Sequence, residues 1–461
     1  MDRQQQQNVG KHTDQASSGR GGTESAVGEE LQASTALEQQ RALTVNLMEQ
    51  VCERDNLNRA YKRVKTNKGS AGIDGMTVND LYEWIKTHKQ ELIASLLDGS
   101  YLPQPVRGVE IDKPGGGVRQ LGIPTVVDRL VQQAIGQVLE PILDPTFSTS
   151  SYGFRPGRSA HEALKKAQEY VAAGRSIVVD IDLEKFFDRV NHDVLMSRLA
   201  RRISDKRLLV IIRRFLNAGM MKNGVCIDRH EGMPQGGPLS PLMSNLLLDE
   251  LDKELESRGH RFCRYADDCN IYVQTMVAGK RVMASVTQFL EQKLRLRVNR
   301  DKSAVAYIEE RKFLGHRLLR GGQLGIAAKS LERVKEKVRQ FTKRSRGGSL
   351  KQVISELNAS LSGWVTYFRY AKARTQLQRL DEWIRHRLRC LRLKQRKRTK
   401  SIAEMLQSLG VPNWQAWIAA GSGKGWWRLA NTPQLKQAMS INWFKQQGLI
   451  NLVLRFDSLK R

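Results

Sequence analysis

The sequence predicts an α+β domain followed by an all-helical unit, and three observations carry that prediction. Between Leu102 and about Tyr307, short apolar runs of strand length alternate with helical stretches, as in an α+β catalytic domain. Beyond about residue 325 the apolar spacing becomes helical. Acidic residues stand at the ends of two of the short runs, where a strand fixes the direction of its side chains.

The elements follow in order. Residues 1–42 are rich in Gln, Ser, Gly and Glu with few large apolar side chains, so they predict a disordered leader, and they lack the apolar stretch of a secretory signal. Leu43, Leu47 and Val51 begin a helical period. Residues 62–75 are basic and glycine-rich and read as a basic loop beside a helix. Lys113-Pro114-Gly115-Gly116-Gly117-Val118-Arg119 reads as a hairpin that directs two cations, Lys113 and Arg119, at a triphosphate.

Residues 177–182 predict a buried strand ending in acids, and alternation puts Asp180 and Asp182 on one face. Met233-Pro234-Gln235-Gly236-Gly237-Pro238 is a stiff loop leading into a helix marked by Met243, Leu247, Leu251 and Leu255. Tyr265-Ala266-Asp267-Asp268 sets two carboxylates at a bend between apolar runs at 261–265 and 269–273. Leu331, Val334, Val338 and Phe341, then Val353, Leu357, Leu361, Trp364 and Phe368, then Leu377, Leu380, Ile384, Leu388 and Leu391 predict three amphipathic helices. The last runs into residues 385–400, where nine of sixteen positions are Lys or Arg. Residues 401–461 carry Trp414, Trp417, Trp426, Trp427 and Trp443, at least three of which are expected in the core of that segment.

The formal charge of +29 comes from 76 Lys and Arg spread along 461 residues, a field suited to a polyanion such as nucleic acid. No run of 18 apolar residues and no amphipathic anchor points to a membrane. Five cysteines with no C-x-x-C pair argue against a disulfide framework or a zinc site, and a reducing, cytoplasmic setting is expected.

An acid at the end of the 177–182 strand, Asp180 or Asp182, together with Asp267 and Asp268 supplies three carboxylates able to hold two Mg²⁺ ions about 3.5–4 Å apart, with Mn²⁺ as a substitute, an arrangement suited to nucleotidyl transfer. At these residues the chain resembles a reverse transcriptase. Tyr265–Asp268 matches the family's Tyr-x-Asp-Asp box. The family's upstream metal-binding aspartate lies five residues before an aromatic, which selects Asp182 with Phe187 over Asp180. The resemblance implies that Phe187 crowds a ribose 2′-hydroxyl and favours dNTPs, that Gln235 and Gly236 line the dNTP site, and that Lys302 donates a proton to pyrophosphate. Phe313-Leu314-Gly315 resembles the primer grip. In the fingers-like segment 151–159, Arg155 and Arg158 either meet template or primer phosphates or cap the following helix.

The motif order, with a helical segment after the palm, is similar to that of the bacterial group II intron-encoded reverse transcriptases and maturases. That resemblance implies a right-hand polymerase: fingers and palm at 43–325, a helical thumb or maturase segment at 326–400, and a small DNA-binding region at 401–461. It also implies group II intron RNA, target and primer DNA, and dNTPs as partners. Lys62, Arg63, Lys65 and Lys68 match the lineage's template-gripping N-terminal motif, while Arg385, Arg387, Arg396, Lys397 and Arg398 are candidates for nucleic-acid contact. No histidine follows His386 and no cysteine follows Cys390, so the HNH endonuclease found in many relatives is not expected. Two other readings stay open: a domesticated reverse transcriptase that serves DNA repair, and an RNA-binding splicing factor with a vestigial polymerase.

Overall fold

The computed structural model describes residues 44–112 and 116–460; the leader expected at 1–42 and the candidate Lys113 lie outside the described residues. Among the described residues, ten short strands make three sheets. β1 (Val106–Asp112), β2 (Val118–Ile123), β4 (Met220–Lys222) and β5 (Val225–Ile227) form one sheet in the order β2-β1-β4-β5. The sheet that matters for the chemistry has the order β6-β7-β3-β8, from β3 (Ile177–Ile181), β6 (Arg261–Tyr265), β7 (Asp268–Val273) and β8 (Ala304–Tyr307). β9 (His316–Leu318) and β10 (Leu324–Ile326) pair separately as an antiparallel ribbon.

The central strand shows why the acids lie where they do. Ile177, Val179 and Ile181 enter the main core, together with the helices Val126–Leu143 and Ser240–Ser257. Val178, one residue out of phase, packs in a second core with Tyr272, Cys263 and the helix Ala160–Ala172. Period-two alternation thus buries β3 on both faces, with Asp182 emerging just past its end. The β6–β7 register pairs Tyr265 with Asp268, leaving Ala266-Asp267 as a two-residue turn with Ala266 at φ 56°.

The three predicted helices are present as Ala328–Phe341, Leu350–Tyr367 and Arg374–Arg396. Their core runs without a break from Ile326 to Phe456, so the short helices from Thr399 onward pack with them. Two expectations need correction here. The basic stretch at 62–75 is a loop only in its second half, because Lys62, Arg63 and Lys65 ride on the last turns of the helix Arg54–Asn67, with Lys68 as its left-handed C-cap. The five C-terminal tryptophans do not form a core: Trp414, Trp417 and Trp427 are exposed and Trp426 and Trp443 are half-buried. Closely packed short helices fill the interior with Ala403, Ala416, Ala430, Ala438 and Leu406 instead.

Candidate active site

Asp182 is held by its backbone. Its amide donates to the Ser303 hydroxyl at 3.0 Å, and its carbonyl accepts from the Asn299 amide at 2.8 Å. Both partners belong to the segment that also carries Lys302, whose ammonium lies 3.9 Å from the Asp182 carboxylate. Asp180 is committed elsewhere: it makes an ion pair with Arg311 at 2.6 Å, which is why it is the poorer metal candidate of the two.

The Ala266-Asp267 turn is braced from below by groups that sequence reasoning missed. Arg264, with no exposed surface, donates to both carboxylate oxygens of Asp252 at 2.7 and 2.5 Å. Its remaining nitrogen donates to Asn245 and to the Ala266 carbonyl, each at 3.0 Å. Asn245 in turn donates to the Gly153 carbonyl at 2.8 Å. Residues around Ser151 add to the edge of β6, with the Tyr152 amide donating to the Arg264 carbonyl and the Arg264 amide to the Ser150 carbonyl, both at 2.9 Å. This brings Gly153 flush against the turn, where a β-carbon would fall 2.2 Å from the Ala266 nitrogen. The clue in the sequence was Asp252, four residues after Leu248 and three before Leu255 and so on the apolar face of the helix Ser240–Ser257: a buried acid requires a buried partner.

The Pro-Gln-Gly loop bridges the two halves of the site. The Met233 amide donates to the Phe187 carbonyl at 2.6 Å, and the Gly122 amide to the Gln235 carbonyl at 3.0 Å. At Gly236, φ is 132° and a β-carbon would meet the Gly122 carbonyl at 2.8 Å, so only glycine lets the loop lie on β2. Gln235 approaches the Asp188 carboxylate at 3.5 Å, and the half-buried Phe187 ring stands edge-on to Phe186 at 5.1 Å. Arg119, exposed on β2, is close enough to draw the Asp267 carboxyl downward. That pull is outweighed: burial first, and Asp182 among the neighbours, pushes Asp267 above the usual carboxylate range. Asp268 is exposed at the start of β7, yet desolvation by the surrounding site, followed by Asp267, Asp180 and Asp182, pushes its carboxyl up to about 6. Crowded carboxylates of this kind are relieved by a divalent cation.

Among the described residues no three His, Cys, Asp or Glu side chains form a preformed metal cage. Hard oxygen donors from two elements nonetheless fit an ion such as Mg²⁺, which takes one or two carboxylates and completes its shell with water and substrate phosphates.

The remaining candidates separate by geometry. Arg155 turns inward: it pairs with Asp144 at 2.6 Å and donates to the Ser148 and Ser151 carbonyls at 2.6 and 3.1 Å, so its guanidinium closes a loop and does not reach a phosphate. Arg158 is half-buried, with its guanidinium 5.7 Å from the Tyr152 ring. Lys62, Arg63, Lys65 and Lys68 are exposed, as are Arg396, Lys397 and Arg398, while Arg385 and Arg387 are half-buried.

A sheet with acids at adjoining strand ends, facing a cation-bearing hairpin across a glycine-proline loop, defines a template-dependent nucleic-acid polymerase. Residues 111–318 match the family model for reverse transcriptase (RNA-dependent DNA polymerase), and residues 331–409 match the group II intron maturase-specific domain. Protein YkfC of Escherichia coli K12 is 33% identical over 315 residues, a match covering 59% of this chain and 83% of that protein. The group II intron-encoded protein LtrA of Lactococcus lactis subsp. cremoris is 40% identical over 196 residues, covering 42% of this chain but 32% of that protein. A partial Cas6-RT-Cas1–Cas2 complex superimposes with a TM-score of 0.35 at 26% identity, over 54% of this chain and 43% of that one. The chain belongs to the group II intron-type reverse transcriptases that carry a maturase domain, and its enzyme class is RNA-directed DNA polymerase. No helix among the described residues is long and apolar enough to cross a membrane.

Proposed function

We propose that this protein acts in the cytoplasm, copies group II intron RNA into DNA during retrohoming, and binds the same RNA to assist its splicing. The observation that carries the polymerase reading is the shared location of Asp182 and the Asp267-Asp268 pair at the ends of strands of one sheet, where Asp182 is among the neighbours that raise the Asp267 and Asp268 carboxyls. Asp182, Asp267 and Asp268 would hold two Mg²⁺ ions, with Mn²⁺ able to substitute. When bound, such ions lower the pKa of the attacking 3′-hydroxyl and neutralise charge on the triphosphate.

The chain's own groups do the rest. Arg119 faces Asp267 from β2 and would bind the triphosphate through charge-assisted hydrogen bonds, with Lys113 as its partner. Phe187 would crowd a 2′-hydroxyl, and Gln235 and Gly236 would support the nascent base pair. Lys302, exposed beside Asp182, would hand a proton to the departing pyrophosphate. The exposed lysines and arginines at 62–68 and 396–398 would track template and intron RNA phosphates, and the helices beyond residue 400 would meet target DNA.

The decisive assay is extension of a DNA primer on an RNA template with dNTPs and Mg²⁺, comparing wild type with Asp267→Ala and including a ribonucleotide control. Synthesis of cDNA by wild type that is lost in the variant supports the reading. No synthesis over a range of templates and salt, with intron splicing still accelerated, leaves a maturase with a silent polymerase.

A further inference from the structure

Beyond the catalytic sheet, the helical unit holds a cavity of about 430 Å³ between the end of the helix Ala328–Phe341 and the middle of the helix Arg374–Arg396, with Trp427 at its rim. Four cations line it, Arg339, Lys343, Arg344 and Arg387, and no carboxylate does. Basic residues at a helix C-terminus usually offset the dipole there, but that amounts to about half a charge. Four cations far exceed it.

The cluster is also preorganised. Arg387 donates from Nε to the Thr342 hydroxyl at 2.6 Å, and its guanidinium lies 5.3 Å from the Trp383 ring. Arg339 lies 5.7 Å from the same ring, and the acid it pairs with, Glu332, is 3.9 Å away and outside the cavity. Burial first, then Arg339 and Arg344, push the Arg387 guanidinium below its ordinary range, a mutual repulsion that an anion would relieve. Cys390 in the wall adds no counter-charge, since burial pushes its thiol up to about 11. Trp427 packs on His386 with centroids 3.9 Å apart and remains 48% exposed, so an aromatic surface adjoins the cations.

We propose that this pocket seats one unpaired nucleotide of a single-stranded nucleic acid, with its phosphate among Arg339, Arg344 and Arg387 and its base stacked on Trp427. The combination of a cationic seat with an adjoining aromatic platform is the chemistry of single-strand binding. A double helix offers phosphates but no free base face. The inference rests on the proposed nucleic-acid role and names a particular ligand class and site within it.

The test is fluorescence anisotropy of the full chain with a labelled unstructured 12-nucleotide RNA, its DNA counterpart, an RNA duplex and an abasic oligomer, over a range of KCl concentrations. Trp427→Ala should weaken RNA binding about tenfold, and Trp427→Phe should restore most of it. Arg344→Ala should lower the slope of log affinity against log salt by about 0.7. Wild type and Trp427→Ala should bind the abasic oligomer alike. A loss on RNA and DNA together assigns the phosphodiester and base as the recognised groups, and a loss on RNA alone assigns RNA. Unchanged RNA and DNA binding by Trp427→Ala, or an equal loss on the duplex, overturns the proposal. Absence of cDNA synthesis by wild type would refute the polymerase reading and leave this binding measurement valid.

Discussion

The buried Arg264–Asp252 pair should be worth more to catalysis than to stability, and the two can be separated. Arg264 and Asp252 both have no exposed surface, and the guanidinium spends two donors on Asp252, one on Asn245 and one on the Ala266 carbonyl. Asp252→Ala strands a cation away from water, a loss of about 3–5 kcal/mol. At roughly 2 °C per kcal/mol for a unit of this size, the unfolding midpoint should fall by about 6–10 °C in a thermal scan. The double variant Arg264→Met, Asp252→Leu removes both charges, and a well-packed apolar replacement of a buried ion pair is often neutral in stability. Most of the lost midpoint should therefore return. The Ala266 carbonyl, however, loses its donor, and a turn with Ala266 at φ 56° loses its tether. Primer extension by the double variant should stay at least about tenfold below wild type, a barrier increase of about 1.4 kcal/mol. The reasoning fails if Asp252→Ala melts with wild type, or if the double variant extends primers at the wild-type rate.

Three further outcomes are expected. Gly153→Ala should depress primer extension more than tenfold with little change in far-UV circular dichroism, because its β-carbon must displace the Ala266 nitrogen now 2.2 Å from that point. Asp268 titrates near 6 in the folded protein, above the ordinary carboxylate value of about 3.9 expected when unfolded. Its destabilising effect is then absent below pH 4, grows as pH rises from about 4 to 6, and is complete above about 7. In chelator, Asp268→Asn should melt above wild type at pH 7.5 and together with it at pH 4. His316 runs the other way: burial pushes it down to about 4, below the unfolded value of about 6.5, so its contribution is full above 6.5 and is lost as pH falls through 4. His316→Phe should flatten that acid limb of a thermal-stability profile, whereas a limb of unchanged steepness would place the titrating group elsewhere.

What the sequence made legible follows from which physical signals are local. The acid hairpin could be read because a two-residue turn between alternating strands needs only neighbours, and β6 and β7 pair as expected from Tyr265 and Asp268 outward. The helical unit could be read because each helix repeats its apolar stripe several times, and Val338, Leu357, Leu361, Leu377 and Leu388 are all buried. Side-chain direction was less accessible. Arg155 looks like any other cation beside a glycine-proline turn, yet the loop folds so that Asp144 and two carbonyls surround it. The tryptophans misled because size suggests a core, but short helices meeting at close range leave room mainly for alanine and leucine.

Arg264 shows how the reading could have gone further. Arg264 precedes the acid box in a strand whose middle residues are buried on both faces, and Asp252 falls in helical phase with the buried Leu248, Leu251 and Leu255 of the helix Ser240–Ser257. Each interruption alone breaks the apolar pattern at a cost of several kcal/mol unless the charge is paired. Two unexplained charges of opposite sign, twelve residues apart and each flanked by core residues, account for one another only if helix and strand are packed together. That pairing alone docks the helix Ser240–Ser257 under β6 and puts a cation directly beneath the Ala266 carbonyl. In a chain with this much positive charge, the informative arginine is the one that phosphate cannot reach.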